Sequence, residues 1–261
     1  APMTRKINSV VMAHDLIPLK FPSTTANKIF FKTYIPFVLK KSKLIISNSN
    51  ATSKELIRTY NINPLKIHKL KLGYDKENIF PLKVNREQFF LILGRHDYHK
   101  NIPNILKAIK LVKNRDLKFV FVGPFHKKLT PSYKKLTFDL GISKSCIWQK
   151  WVDTETKREL LNRCKGLIMP SLWEGFGIPA LEAMACGTPV IGSTNGAMPE
   201  VLGDYGILVN PLNIKEIADA IMQVETNSDI SQKLGIEGPI RASKFDWIKS
   251  IRDLEDRIKK L

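Results

Sequence analysis

The sequence predicts an α/β protein built on doubly wound, parallel sheets. Short apolar runs of four or five residues alternate with longer segments that have helical periodicity. Glycine, proline and helix-capping residues lie at the junctions between them. The chain of 261 residues is long enough for one large or two modest domains. Strands that alternate with helices favour parallel order, with ligands bound beyond the carboxyl ends of the strands.

The region before residue 73 predicts three strands and two helices. Residues 16–22 contain two prolines and are expected to be irregular. Polar residues that precede an apolar periodic segment are typical N-caps, and a proline inside a helix is expected to kink it. The predicted elements are strand 9–13, helix 24–41 capped by Thr24 or Thr25 and kinked at Pro36, strand 43–47, helix 51–60 capped by Ser49 or Asn50, and strand 67–72.

Residues 73–87 form a polar connector that is expected to separate two domains. The alternating series that follows is long enough for a complete nucleotide-binding domain. We predict domains over residues 1–80 and 81–245, and a C-terminal helix over 246–261 that packs back on the first domain. The predicted elements of the second series are strands 89–93, 118–122, 146–150, 166–169, 189–192 and 207–209, and helices 101–114, 131–140, 154–163, 179–186, 213–225, 228–236 and 247–260.

The stretch 170–192 carries two carboxylates around a glycine loop and a helix. Pro179 suits the first turn of that helix, and the glycines before it permit a close backbone approach. Glu174 lies in the loop, and Glu182 is expected in the first turn of the otherwise apolar helix. If each glutamate is considered alone, the simpler interpretation is that Glu182 interacts with the helix dipole and that Glu174 is a solvated loop residue. Together they suit a ligand with phosphate and hydroxyl groups, because a helix N-terminus attracts phosphate and carboxylates accept hydrogen bonds from hydroxyls.

A second candidate phosphate site follows the predicted strand 89–93. Arg95 and Lys100 lie between that strand and the next helix. Arginine can hold a diphosphate with paired hydrogen bonds, and lysine can do so as a point charge. A single basic residue in so cationic a chain would ordinarily be solvated. The prediction therefore depends on the position of both residues in the loop that joins a strand to the next helix. His14, followed by Asp15 after the first predicted strand, is a further candidate, although a lone histidine is more often structural.

The residues from Glu174 to Glu182, with Gly-Phe-Gly between them and Gly-Thr-Pro-Val after them, resemble the donor-site signature of retaining glycosyltransferases with the GT-B fold. More narrowly, they resemble the large family that contains many bacterial mannosyl- and glucosyltransferases. The resemblance extends upstream and through Pro199-Glu200-Val201, 206–209 and Phe245-Asp246-Trp247, and so covers nearly the whole chain. It implies a Rossmann-like C-terminal domain and a shortened Rossmann-like N-terminal region.

The family normally begins with a strand and a glycine-rich loop, and no such loop precedes His14 in this sequence. Either the sequence is a fragment of a longer chain, or the protein is naturally short and obtains the missing half from a partner chain. A donor-binding subunit, or an inactive fragment that needs such a partner for activity, is therefore the alternative to an enzyme that works alone.

The resemblance also implies a reaction and the residues that carry it. A hexose would pass from a nucleotide-diphosphate sugar, of GDP-mannose or UDP-glucose type, to a glycan or lipid-linked acceptor, by front-face transfer with retained configuration. Arg95 and Lys100 would hold the diphosphate, Glu182 the ribose, and Glu174 and His14 the transferred hexose. The implied donor contacts at the start of the helix are Phe176, Gly177 and Ile178.

No Asp-X-Asp motif of the kind that holds a metal-bound nucleotide sugar is present in the sequence, so we expect a metal-independent mechanism without a cofactor besides the donor. His96 and His99 flank the phosphate loop without a ligand set around them. The four tryptophans are expected to pack rather than to form sugar platforms, with Trp173 having the best claim to a role at the site. They are Trp148, Trp151, Trp173 and Trp247.

The net charge is the compositional outlier, with 42 basic against 24 acidic residues, a balance of +18 and a pI near 9.8. Two explanations stay open: a lysine bias of the source genome, or peripheral attraction to an anionic membrane. A nucleic-acid-binding module is supported by charge alone, because no zinc-finger, RRM or helix-turn-helix pattern is present, so no specific nucleic acid is expected.

Cys146 and Cys186 lie in apolar settings and are expected to be buried thiols, which suits a reducing compartment. No apolar run approaches the ~20 residues of a membrane span, and the apolar stretch 10–13 is too short for a signal peptide. We therefore expect a cytoplasmic location, with peripheral contact at the cytoplasmic membrane face.

Overall fold

A computed structural model describes residues 9–260. The contacts within it divide the chain into two compact units. Unit 1 comprises the residues up to Gly73, the segment Glu174–Phe176 and the residues from Phe245 onward. Unit 2 comprises Tyr74–Trp173 and Gly177–Lys244. Residues 74–80, which the sequence prediction assigns to the first domain, group with unit 2.

The helices and strands within residues 9–260 alternate along most of the chain. They are β1 (Val10–Ala13), α1 (Ile17–Lys20), α2 (Thr25–Lys41), β2 (Leu44–Ser47), α3 (Asn50–Tyr60), β3 (Ile67–Lys69), β4 (Phe89–Leu93), α4 (Ile102–Leu111), β5 (Lys118–Val122), α5 (Leu129–Asp139), β6 (Cys146–Gln149), α6 (Thr154–Arg163), β7 (Gly166–Met169), α7 (Ile178–Ala185), β8 (Val190–Ser193), α8 (Met198–Leu202), β9 (Ile207–Val209), α9 (Ile214–Thr226), α10 (Ser228–Ser243) and α11 (Trp247–Ile258). Short 3₁₀ turns occur at Pro64–Lys66, Tyr98–Lys100 and Ser143–Ser145.

Unit 1 contains a parallel sheet in the order β1-β2-β3. The side chains of Thr24 and Ser49 cap α2 and α3 by accepting hydrogen bonds from backbone amides three residues later. One side of the sheet packs against residues of α2 and α3, including Leu39 and Leu56. Leu254 of α11 packs against a separate cluster that includes Leu44 of β2. The C-terminal helix therefore belongs to unit 1.

Unit 2 contains a parallel sheet in the order β6-β5-β4-β7-β8-β9. Its central strands β4, β7 and β8 are buried along their whole length, as expected for a parallel sheet covered on both faces. Helix α4 packs with α5 and α9, whereas α7 packs with α6, α8 and α10. The predicted α/β class with parallel sheets is confirmed.

The observed secondary structure differs from the predicted one in four main places. Residues 17–20 form helix α1 instead of irregular chain, since Asp15 accepts a hydrogen bond from the Ile17 amide and Pro18 fits the first helical turn. Strand β3 has three residues, not six. Helix α8 was not predicted, and α10 continues past the expected end at 236 and includes Pro239.

The polar connector 73–87 is packed rather than loose. Ile79 is buried, and the Arg86 guanidinium donates hydrogen bonds to the carbonyl oxygens of Cys164 and Gly187 and to the Thr188 hydroxyl. Burial lowers the pKa of Arg86 from its usual value. These contacts satisfy the donors of the buried guanidinium, and from Tyr74 onward the connector groups with unit 2.

The cysteines at positions 146, 164 and 186 are buried free thiols, and burial raises the pKa of each to about 12. The predicted burial of Cys146 and Cys186 is confirmed. In the described part of the chain, no helix combines the length and the apolar character needed to cross a membrane.

Candidate active site

Two glycine loops lie at the carboxyl ends of the neighbouring strands β4 and β5. Gly94 has φ of +132° and Gly123 has φ of +152°, which a side chain rarely permits. A Cβ atom on Gly123 would lie 2.1 Å from the carbonyl oxygen of Gly94, so the two loops touch through their backbones. The absence of side chains from both positions leaves room for a ligand at this edge of the sheet.

Helix α7 presents one carboxylate near these loops. Gly177 precedes the helix with φ of +107°, and Pro179 occupies its first turn. Glu182 is the fifth residue of α7, so the prediction that it lies in the first turn was wrong, as was the simple role of helix-dipole partner. Its side chain is buried and its Oε1 lies 2.7 Å from Nζ of Lys157 on α6. Burial raises the pKa of Glu182, and the hydrogen bond and charge of Lys157 oppose that rise.

A cavity of about 340 Å³ joins the glycine loops to Glu182. Lys157 and Ile178 also line it, and so does Trp151 from the segment after β6. The Trp151 residue is 74% exposed, so its predicted packing role was wrong. The residues that line the cavity are Leu93, Gly94, Val122, Gly123, Trp151, Val152, Asp153, Thr154, Lys157, Ile178, Pro179 and Glu182.

Two of the other tryptophans behave as the sequence predicts. Trp148 stacks on Phe121 with ring centroids 4.3 Å apart, which is a packing contact. Trp247 lies against Gly73, where a Cβ atom would come within 2.8 Å of its indole ring. Trp173 is half-buried in unit 2.

The two predicted phosphate-binding cations follow β4. The side chain of Lys100 reaches back over Gly94, where a Cβ atom would lie 3.0 Å from its Cε and 3.2 Å from its Nζ. Arg95 is exposed, with its Nε 3.9 Å from Oδ2 of Asp97. Asn101 fixes the end of this loop, because its side-chain amide donates to the carbonyl oxygens of Pro170 and Pro211.

His14, Glu174 and Phe176 belong to unit 1. Glu174 is buried, and Phe176 packs edge-on against Phe245. His14 is exposed, and its carbonyl oxygen would lie 2.5 Å from a Cβ atom on Gly175. Unit 1 therefore brings the histidine loop and the Glu174–Phe176 segment into direct contact.

Thr52 of α3 ties the same two loops together. Its hydroxyl lies within hydrogen-bond distance of the carbonyl oxygens of His14, at 3.3 Å, and Gly175, at 3.4 Å. Neither Thr52 nor Lys157 was predicted from the sequence, because each acts through a contact between distant segments that no local motif signals.

His96 is structural. It is buried between Phe125 and Trp148, and its Nδ1 lies 3.1 Å from the Thr130 hydroxyl. Burial and the nearby charge of Lys134 lower the pKa of His96 to about 4, although Asp97 acts in the opposite direction.

Among the described residues no three side chains of His, Cys, Asp or Glu come together in a way that could hold a metal ion. The metal-independent mechanism remains a prediction.

The model of the family described as "Glycosyl transferases group 1" matches residues 75–241, which is more than half of the chain. The chain belongs to this family. The O-antigen chain mannosyltransferase RfbU of Salmonella typhimurium is 28% identical over 222 residues, which span 85% of this chain and 62% of RfbU. The MMP alpha-(1->4)-mannosyltransferase of Mycolicibacterium hassiacum is 29% identical over 211 residues, 78% of this chain and 50% of that protein. The chain thus spans between half and two thirds of the length of these relatives.

Solved structures support the fold. The structure of HepE of Anabaena in complex with UDP and glucose superposes on this chain with a TM-score of 0.86. The match covers 97% of this chain and 72% of the HepE chain, at 18% sequence identity. This likeness, together with the two parallel Rossmann-like sheets, confirms the predicted GT-B type of fold.

Proposed function

We propose that the chain is a retaining glycosyltransferase that moves a hexose from a nucleotide-diphosphate sugar of GDP-mannose or UDP-glucose type to a glycan or lipid-linked acceptor. The observation that carries the proposal is the buried carboxylate of Glu182 in a cavity beside Gly94 and Gly123, at the strand ends where doubly wound sheets bind ligands. Membership of the family supports the reaction class. The mannosyltransferase relatives favour a GDP-mannose type of donor, whereas the UDP and glucose bound to HepE support a UDP-glucose type of donor as the alternative.

Each site residue has a role that fits its chemistry. Ionised Glu182 accepts hydrogen bonds from the ribose hydroxyls. Arg95 and Lys100 neutralise the diphosphate, which gains negative charge as the bond to the sugar breaks. Glu174 and His14 contact the hexose. Backbone amides at Phe176 and Gly177 and the apolar side chain of Ile178 complete the donor contacts.

Front-face transfer accounts for retention without a protein nucleophile. The bond from the acceptor oxygen to the sugar carbon forms on the face from which the bond to phosphate breaks. The acceptor hydroxyl proton passes to the departing diphosphate, so charge and atoms balance with no cofactor. The cations at positions 95 and 100 stabilise the leaving group during this step.

A second candidate is a donor-binding subunit that needs a partner chain for activity. The extent of the matches supports it, since half to two thirds of RfbU and the Mycolicibacterium enzyme correspond to this chain. Such a subunit would bind a nucleotide through unit 2 and show no turnover alone.

Donor hydrolysis in the absence of an acceptor tests the proposal. The chain is incubated separately with GDP-mannose and UDP-glucose, and proton NMR follows the first-formed anomer of the free sugar. The proposal predicts the α-anomer with one donor, loss of turnover in Glu174→Gln and unchanged turnover in Glu155→Gln, a control at an exposed glutamate of α6. A first-formed β-anomer would contradict retention, and tight donor binding without turnover would favour the subunit.

We also propose that the protein works in the cytoplasm, in peripheral contact with the anionic face of the membrane. The net charge of +18 supports this location, because lysines near an anionic surface each contribute about 1 kcal/mol of attraction.

A further inference from the structure

Helix α2 has apolar side chains on the side that faces away from its own core. Its inner side packs Phe31, Ile35 and Leu39 against the core of unit 1. Three other apolar residues of the helix are exposed to solvent: Ile29 is 57% exposed, Phe30 is 44% exposed and Phe37 is 45% exposed. At 100° per residue these three positions lie roughly opposite the inner side. A surface helix usually carries polar residues there, so this arrangement requires an explanation.

Cations lie at the C-terminal end of this apolar side, and the helix contains no acidic residue. The ammonium group of Lys41 lies 4.2 Å from the centre of the Phe37 ring. Lys66, from the turn before β3, donates a hydrogen bond to the carbonyl oxygen of Lys40 and adds positive charge near the end of the helix. The exposed lysines of α2 are Lys28, Lys32, Lys40 and Lys41. At the same angular spacing Lys40 and Lys41 lie on the side of Ile29, Phe30 and Phe37, whereas Lys28 and Lys32 lie nearer the inner side. We call Ile29, Phe30, Phe37, Lys40 and Lys41 the α2 outer face.

We propose that the α2 outer face docks the chain on an anionic lipid bilayer. The side chains of Ile29, Phe30 and Phe37 can enter the boundary between headgroups and acyl chains. The lysines, with no acidic residue among them, can pair with anionic headgroups. Nucleic acid would engage the lysines but would gain little from the aliphatic Ile29. The docking deepens the proposed function, since a lipid-linked acceptor lies at such a surface, but it does not depend on donor binding.

Vesicle sedimentation tests the docking. The chain is mixed at physiological salt with vesicles of phosphatidylglycerol and phosphatidylcholine in equal parts, or with phosphatidylcholine vesicles. We expect clear preference for the anionic vesicles, and roughly tenfold weaker partitioning for the double variant Phe30→Ser/Phe37→Ser. Replacement of Lys40 and Lys41 by glutamine is expected to weaken partitioning roughly fivefold per lysine, with the loss reduced at high salt.

Phe138→Ser is the matched control. Phe138 on α5 is 78% exposed and has the exposed Lys134 and Lys135 nearby in sequence, but α5 carries no second exposed aromatic residue. Its replacement should change vesicle partitioning by less than about twofold. Thermal unfolding and nucleotide binding are measured on every variant, so that a fold defect or a failure of the proposed function is recognised separately.

Equal binding to both kinds of vesicle would overturn the proposal, and so would equal losses in the Phe30/Phe37 and Phe138 variants. Retention of the chain on a single-stranded RNA oligomer but not on anionic vesicles, insensitive to the phenylalanine changes, would assign the charge to nucleic acid instead. Weaker vesicle binding in the α2 variants alone, with folding and nucleotide affinity intact, is the result that supports docking.

Discussion

The burial and the ion pair of Glu182 both result from the packing of α7 against α6. Its carboxylate is buried, yet Lys157 lies within 2.7 Å and supports the ionised form. A carboxylate in this state is a fixed acceptor with lone pairs still available for a ligand. The motif in the sequence indicated Glu182, but no local pattern indicated Lys157, because the pair depends on how two helices pack.

The ionisation of Glu182 should be visible in nucleotide affinity. Burial raises its pKa, so we expect affinity to fall as the pH falls through that raised value and the carboxylate becomes protonated. Lys157→Met removes the opposing charge and should move this fall to higher pH. Dissociation constants measured between about pH 5 and 8 provide the test, with Glu155→Gln as a control whose profile matches the parent. An unchanged pH profile in Lys157→Met would contradict the role of the pair.

Trp151 is the residue at which the structure departs most from the sequence prediction. The residue is 74% exposed and lines the same cavity as Glu182. We expect it to stack on the nucleobase, so that nucleotide binding quenches its fluorescence. Trp151→Leu should weaken binding roughly tenfold and abolish the quenching, because a base–aromatic stack contributes about 1–3 kcal/mol. Trp247→Phe, a change in unit 1, should retain the quenching; loss of quenching there, with Trp151→Leu unaffected, would refute the assignment.

At the scale of elements, the glycine loops after β4 and β5 are constrained by backbone contact. Gly123→Ala would place a Cβ atom 2.1 Å from the Gly94 carbonyl oxygen, in a conformation that already disfavours side chains. We expect a loss of roughly 3 kcal/mol or more in the free energy of unfolding. Gly141→Ala is the control: its φ is +68°, but beyond its chain neighbours a Cβ atom would come no closer than 3.8 Å to the Lys110 ammonium, so the cost should be about 1 kcal/mol. Urea unfolding compares the two, and equal losses would show that the close approach is unimportant.

Strong local signals predicted most elements well. The strands 118–122 and 166–169 and the helix 154–163 were predicted with the observed bounds, because apolar runs, capping residues and glycines agree there. The α1 helix was missed because two prolines suggested an irregular segment, although Pro18 is compatible with a first turn. The connector was judged from its polarity, which gave no sign that Arg86 would satisfy carbonyl oxygens more than seventy residues away.

At the scale of the whole molecule, the candidate residues fall into two groups that the sequence presented as one. Arg95, Lys100 and Glu182 belong to unit 2, whereas His14 and Glu174 belong to unit 1. The two motif carboxylates are therefore held by different units, although only seven residues separate them. Sequence spacing could not indicate this, because the Glu174–Phe176 segment contacts distant parts of unit 1: Gly175 lies against His14 and Thr52, and Phe176 packs against Phe245.

Global stability should depend on His96. Its folded pKa of about 4 lies below the ordinary value of 6.5, so the folded state favours the neutral imidazole. The corresponding stability is fully present above pH 6.5 and is lost as the pH falls toward 4. His96→Gln should reduce the change in the free energy of unfolding between these limits by about 1–2 kcal/mol, after allowance for solvent screening. Parallel stability curves for the parent and the variant across this range would contradict a buried neutral histidine.

The central claim is that unit 2 holds the nucleotide of a sugar donor, and calorimetric titration with GDP and UDP tests it most directly. The account predicts that one nucleotide binds with a dissociation constant in the micromolar range, and that binding is lost in Glu182→Ala and in Arg95→Ala but kept in Glu155→Ala. Absence of binding for both nucleotides, or binding that survives both site variants, would contradict the account.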